Sequence, residues 1–327
     1  MQDIPDLVYF PDTRPGITRK KAGRGWSYRA PDGTRIEQKR ERQRLDALAV
    51  PPAYRDVWIC PRSDGHLQAT GRDDRKRKQY RYHEAWTAFR SQKKYGDLPA
   101  FGDCLPQIRR RIARDLAGDV GDRAVATAAV LAMIDRLSMR VGNRDYAEEN
   151  GTFGATTLRP RHVALTPEAL KLDYKGKGGI RIRRTLRDRR LAKVLHQLDD
   201  LPGATLVTWL DEDGDAHEVT SGEVNELLHD ITGVAGFTAK TFRTWNGTVA
   251  AMEVALSEEK LSIKAMAEAA SERLGNTPAI ARNSYIHPQV IALSEVALDD
   301  RAAFAKTVEE RRGLRRSERA LLKLLAG

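Results

Sequence analysis

Four short stretches of this 327-residue chain hold side chains that can manage the charge of a phosphate. RVGNRDY (140–146) opens on Arg140 and closes on Tyr146. YKGKGG (174–179) carries Lys177 between glycines. KTFR (240–243) sets Lys240 and Arg243 three apart, on one face if the stretch is helical. GNTPAIARNSYIHP (275–288) places Asn276 ahead of Tyr285 and stops at His287-Pro288. Tyr285 is either an ordinary half-buried ring or a nucleophile, and its own stretch does not decide between them. Motifs for other phosphate chemistry are missing. KGKGG falls in a predicted hairpin rather than ahead of a helix, so it is no phosphate-cradling loop, and no HExxH, CxxC pair or acidic cluster has metal-ligand spacing. No cofactor and no metal are therefore expected, and arginine, lysine and polar side chains are left to handle the phosphate.

Charge says what kind of phosphate. The net charge is +11, but residues 1–95 hold 22 Lys+Arg against 12 Asp+Glu, and residues 136–190 hold 14 against 6. The remainder is net acidic. Two basic blocks on one chain are the footprint of two surfaces facing one polyanion, which points to nucleic acid. No basic amphipathic anchor or membrane-length apolar run is present, and MQDIPDLVYF lacks the cationic start of a signal peptide. The two cysteines, Cys60 and Cys104, lie far apart and fit a reducing compartment. The expectation is a cytoplasmic, nucleoid-associated protein with no membrane partner.

Taken in order, these stretches resemble the type IB DNA topoisomerases, in the compact poxvirus-like form and its bacterial branch, over nearly the whole chain. The family's catalytic set runs Arg, Lys, Arg, His or Asn, Tyr. By motif, RVGNRDY gives Arg140, the GKGG hairpin Lys177, KTFR Arg243, and LGNTP…SY Asn276 and Tyr285. In the N-terminal part, RKQYRYH (77–83) resembles the family's DNA-reading strand and implies that Gln79, Tyr80 and Tyr82 contact the duplex. Tyr146 and Lys240 fall where the family contacts phosphate. The resemblance implies a monomer that holds duplex DNA as a clamp between two domains. It also implies nicking of one strand through a 3′-phosphotyrosyl intermediate, relaxation of supercoils, and religation without ATP or metal. Asn276 departs from the viral members, which carry histidine there.

The residue types suit that reaction. Planar guanidinium forks grip both non-bridging oxygens as negative charge builds. A phenol titrates near 10 in water and needs cations around it to react as phenolate. The departing 5′ oxygen needs a proton, which a hairpin lysine can give as general acid. The phosphotyrosine ester then keeps the bond energy for religation. Asparagine at 276 can donate a hydrogen bond but never carry charge, so it is expected to orient an oxygen and to matter less than either arginine.

These groups must be delivered by a chain whose pattern changes at about residue 84. Residues 1–83 are rich in turn pairs (Asp32-Gly33, Asp64-Gly65) between short extended runs, with one helix near 36–49. KQYRYH alternates as a strand, Gln79 and Arg81 on one face and Tyr80 and Tyr82 on the other. Residues 84–327 read as successive helices, broken by a hairpin of ALKLDYK and IRIRRTL around GKGG. RAVATAAVLAMIDRLSMR predicts a buried helix ending at Arg140. The fold class is α+β: a small β-rich DNA-binding domain, 1–83, and a larger mainly helical catalytic domain, 84–327, resembling the catalytic fold shared by tyrosine recombinases and type IB topoisomerases. Two rivals fit less well. A tyrosine recombinase usually has His-x-x-Arg where this chain has Lys240-x-x-Arg243, and a non-catalytic basic DNA-binding protein needs no such ordered set.

Overall fold

A computed structural model describes residues 6–326. The chain divides into two compact units, Met1–Gly96 and Asp97–Gly327. The first unit contains β1 (Ile17–Ala22), β2 (Gly25–Arg29), α1 (Lys39–Ala47), β3 (Arg55–Ile59), β4 (Leu67–Arg72), β5 (Lys78–Tyr82) and α2 (Glu84–Gly96). Its five strands form one antiparallel sheet in the order β2-β1-β3-β4-β5, so β5 is an edge strand. Ile17, Tyr28, Val57, Ile59 and Ala69 on the sheet close on Leu45 of α1 to make the core. A two-residue loop joins β1 to β2, with Gly23 at φ 57, a conformation that side chains resist. The break in pattern at residue 84 is the start of α2, but that helix belongs to the first unit: Trp86 packs edge-on against His66, ring centres 5.8 Å apart. The boundary of compactness thus lies at Gly96 rather than 83.

The second unit begins with α3 (Leu98–Asp115) and α4 (Arg123–Leu137). Alanine-rich α4 is buried along nearly its whole length, which is why its sequence shows little amphipathic period. After α5 (Arg144–Asn150) come β6 (Val163–Leu165), β7 (Ala169–Lys175) and β8 (Arg181–Arg187), an antiparallel sheet in that order. Helix α6 (Arg189–Asp199) follows, then a small hairpin of β9 (Thr208–Leu210) and β10 (Ala216–Glu218). The rest is helical: α7 (Ser221–Thr232), α8 (Ala239–Ser257), α9 (Ile263–Leu274), α10 (Pro278–Tyr285), α11 (Pro288–Ala292), α12 (Leu298–Lys306) and α13 (Arg316–Leu325). Sequence signals set several of these ends. Thr220 and Glu223 form a capping box at α7, Gly233 closes it at φ 69, and Thr277 caps α10 ahead of Pro278.

Helix α8 is the axis of this unit, packing against α9, α10, α11, α12 and α13. The last helix is tied in by charge. Glu318 of α13, fully buried, accepts from Arg109 of α3 at 2.8 Å and from Trp245 Nε1 of α8 at 3.4 Å. Arg109 also bridges to Asp135 of α4 at 2.9 Å. Among the described residues, no helix is long and apolar enough to cross a membrane.

Candidate active site

Arg243 lies in the second turn of α8 and is only 3% exposed, so it is no surface arginine. Its guanidinium is held by two backbone carbonyls: Nη1 donates to Ser138 at 2.5 Å and Nη2 to Leu274 at 2.9 Å. Nε is buried without a partner. Burial lowers its pKa to about 10, and the neighbouring charge of Arg140 adds to that fall, while Tyr285 and Tyr174 oppose it. It therefore remains cationic at neutral pH. The guanidinium carbon stands 5.3 Å from the centre of the Tyr285 ring.

Each carbonyl that holds Arg243 also starts a neighbouring part of the site. Ser138 follows the last residue of α4 and turns left-handed, φ 56, which ends the helix. Arg140 consequently does not close that helix, as its sequence predicted, but stands in the extended segment beyond it. Its backbone is fixed by Ala155, which donates to the Arg140 carbonyl at 2.8 Å. Gly154 allows that approach, because a Cβ there would lie 2.7 Å from the same oxygen. Leu274, the second carbonyl, ends α9. Gly275 follows at φ 59 and Asn276 comes next, its side-chain Oδ1 and Nδ2 both buried without a partner.

Gly275 also docks the β7–β8 hairpin. A side chain there would meet Ile182 of β8 at 2.3 Å, so the bare backbone lets Ile182 pack in. Ile182 pairs across the ladder with Tyr174, and the turn between them carries Lys177, exposed, with Gly178 and Gly179 at φ 78 and 81. Tyr285 is the last residue of α10 and half-buried. Its carbonyl accepts from Thr248 Oγ1 at 3.0 Å, and the adjacent Gly247 has no side chain where one would lie 3.0 Å from the Tyr285 Cβ. His287 accepts the Gln289 N–H at Nδ1 and caps α11, a structural duty.

Arg243 and Tyr285 are thus brought together, the charge of Arg140 acts on Arg243, and Asn276 lies two residues past the Leu274 anchor. Lys177, Tyr146 (57% exposed, on α5) and Lys240 (first turn of α8) present their side chains to the surface instead. In the first unit, Tyr80 and Tyr82 are 53% and 43% exposed and stack with ring centres 6.1 Å apart, so neither is core. Gln79 donates to Asp73 at 3.0 Å.

Sequence reasoning passed over Tyr174 and Ser138. Tyr174 is buried, which raises its pKa, and it feels the positive charges of Arg243, Arg140 and Arg184. The alternation of Leu170, Leu172 and Tyr174 marked its inward face; nothing in the sequence marked Ser138. Chemically, a buried guanidinium beside a phenol, with the charge of Arg140 acting on it, concentrates positive charge next to a hydroxyl, a setting suited to an anion.

Residues 78–285 match the family model described as the catalytic core of eukaryotic DNA topoisomerase I, and residues 25–73 match that of the N-terminal domain of bacterial DNA topoisomerase IB. A mimivirus (Acanthamoeba polyphaga mimivirus) DNA topoisomerase 1B is 28% identical over 286 residues, covering 83% of this chain and 85% of the viral one. Arabidopsis thaliana DNA topoisomerase 1 beta is 30% identical over 51% of this chain, and human DNA topoisomerase 1 is 29% identical over 48%. This chain spans only 17% and 20% of those two larger proteins. With both of its units matched in order, the chain belongs to the type IB DNA topoisomerase family.

Proposed function

We propose that Tyr285 is the nucleophile of this type IB DNA topoisomerase and that Arg140 and Arg243 bind the phosphodiester it attacks. The observation that carries the reading is the buried Arg243 guanidinium, locked by two carbonyls beside the Tyr285 ring. Such a donor is preorganised, so little reorganisation is needed as charge builds on the phosphate. The Tyr285 oxygen forms a bond to phosphorus, the bond from phosphorus to the 5′ oxygen breaks, and the phenolic proton is lost to solvent. Lys177 at the hairpin tip protonates the departing 5′ oxygen. Asn276 donates from Nδ2 to a non-bridging oxygen. The 3′-phosphotyrosyl ester holds one strand end while the other swivels, and attack by the 5′ hydroxyl reverses the steps. ATP supplies nothing to this balance.

Around that centre, the reading takes Gln79, Tyr80 and Tyr82 as contacts of the first unit to the duplex, and Tyr146 and Lys240 as phosphate contacts of the second. Two basic blocks on one chain support a clamp around duplex DNA. The packing of α13 onto α3 and α8 of its own chain supports a monomer and a catalytic fold of tyrosine-recombinase type without exchange of tails. A nucleoid-associated place in the cytoplasm follows from the DNA substrate.

The test is relaxation of negatively supercoiled plasmid without ATP and with chelator, wild type beside Tyr285→Phe. Relaxation and a covalent 3′ adduct in the wild type, both lost in the variant, are expected. Binding without relaxation would reduce the protein to an architectural role, and exchange between two defined sites would make it a recombinase. Because phosphate contacts release counterions, relaxation falls steeply with added salt.

A further inference from the structure

The first unit carries more exposed aromatic surface than its β5 tyrosines. Tyr9, 71% exposed, stacks on His66 with ring centres 4.6 Å apart and planes 22° apart. His66 lies 6.3 Å from Tyr82, Tyr82 stacks on Tyr80, and the Lys78 ammonium sits 5.4 Å from the Tyr80 ring centre. A row therefore runs from the N-terminal segment across β4 to the edge strand. Trp86 braces His66 from α2.

Tyr9 is not a loose terminal residue. Val8 donates to the Asp64 carbonyl and accepts from His66 N–H, both at 2.9 Å, and Phe10 N–H donates to His66 Nδ1 at 3.0 Å. Hydrogen bonds on either side fix the backbone, and the stack on His66 orients the ring, while most of the residue faces water. An aromatic ring fixed and exposed in this way gives contact area with little ordering left to do on binding. Beside the row, the β4–β5 turn exposes Arg75, Lys76 and Arg77. The tyrosine rings and the cationic turn match the two parts of a duplex, its groove edges and its phosphates.

We infer that Tyr9, stacked on His66, is a further DNA-contacting residue, which extends the Tyr80–Tyr82 pair into one aromatic ladder against the groove of duplex DNA. The inference rests on duplex DNA being the partner of this unit. The ladder supplies contact area, and the turn supplies charge.

Equilibrium binding of a labelled duplex at about 0.15 M salt tests it, in a Tyr285→Phe background so that no covalent step enters. Tyr9→Ser should weaken binding roughly three- to tenfold, in the range of one aromatic contact. The slope of log K against log salt should stay unchanged, because no ion is released by a phenol ring. Tyr9→Phe, which keeps the ring, should restore most of the affinity. Parental affinity in Tyr9→Ser, or equal loss in Tyr9→Ser and Tyr9→Phe, would overturn the ladder. A shallower salt slope in Tyr9→Ser would also overturn it, by assigning the contact to charge. Thermal melting of both variants checks that the unit is still folded. None of these outcomes bears on the nucleophile, which plasmid relaxation by the wild type reads separately.

Discussion

Arg243 faces the Tyr285 ring at 5.3 Å while its two terminal nitrogens are spent on the carbonyls of Ser138 and Leu274. The fork thus ties the end of α4 to the end of α9 and still offers its remaining N–H groups to a phosphate. A lysine carries the same charge but cannot span both carbonyls and an oxygen at once. Arg243→Lys should slow single-turnover cleavage about 10²- to 10³-fold, the usual loss for a preorganised donor. A rate within about threefold of wild type would mean that charge alone matters there.

Gly247 sets the distance between α8 and Tyr285. Gly247→Ala would place a Cβ 2.8 Å from Leu274 Cδ1 and 3.0 Å from Tyr285 Cβ. Better helix propensity, about 1 kcal/mol, offsets part of an overpacking penalty of about 1–3 kcal/mol. Stability should therefore fall by no more than about 2 kcal/mol while cleavage drops at least about tenfold, as expected of a small misplacement. Unaltered cleavage in a folded variant would show that the Tyr285 position is slack.

Asn276 keeps two polar atoms buried and unpartnered, an arrangement worth about 1–3 kcal/mol of lost stability per group. Asn276→Ala should melt no lower than wild type, and cleavage should slow by about tenfold or less, below the loss from either Arg140→Ala or Arg243→Ala. A loss equal to that of Arg243→Ala would overturn the ranking.

For Lys177, the leaving group is the discriminating variable. Lys177→Ala should slow cleavage of ordinary DNA by about 10²- to 10⁴-fold, the range of a lost general acid. With sulfur in place of the 5′ bridging oxygen, the leaving thiolate needs no proton, and the variant should approach the wild-type rate. Persistent slowness on the sulfur substrate would make Lys177 a binding residue only.

Burial pushes the Glu318 carboxyl up, but hydrogen bonds and charge from Arg109 and Arg315 outweigh it and bring the pKa down to about 2. A depressed acid contributes stability above its unfolded value, near 4.5, and loses it as pH falls toward about 2. Glu318→Gln should therefore be less stable by about 3–5 kcal/mol at neutral pH. The gap to wild type should close between about pH 4.5 and 2 when urea midpoints are compared. A gap independent of pH would show that the carboxylate charge plays no part.

The order of groups along the chain was readable because each sits at an element end with its own signal: Thr277-Pro278 before α10, paired glycines around Lys177, alternation through Tyr80 and Tyr82. Their meeting was not. Arg140 was expected to finish α4, and only the left-handed turn at Ser138, a serine where glycine or asparagine is usual, stops the helix three residues sooner. The hairpin β9–β10 was passed over although Asp213-Gly214 sits between its strands, because strands of three residues show no period. Tyr174 could be assigned inward from alternation, but its nearness to two arginines depends on how Ile182 seats on Gly275, a contact between segments almost a hundred residues apart. Charge distribution points to nucleic acid without any knowledge of geometry; the carbonyl anchors of Arg243 have no counterpart in composition or spacing.

The buried Glu318 network has a mechanical meaning as well. In the proposed reaction the strand end held on Tyr285 hangs from a helix of eight residues, and any pull on that end loads the helix. That load passes from the Tyr285 carbonyl through Thr248 into α8. From α8 it reaches α13, α3 and α4 through Trp245, Glu318, Arg109 and Asp135. The carboxy-terminal helix is then the footing of the held strand end, far from any bond that is made or broken.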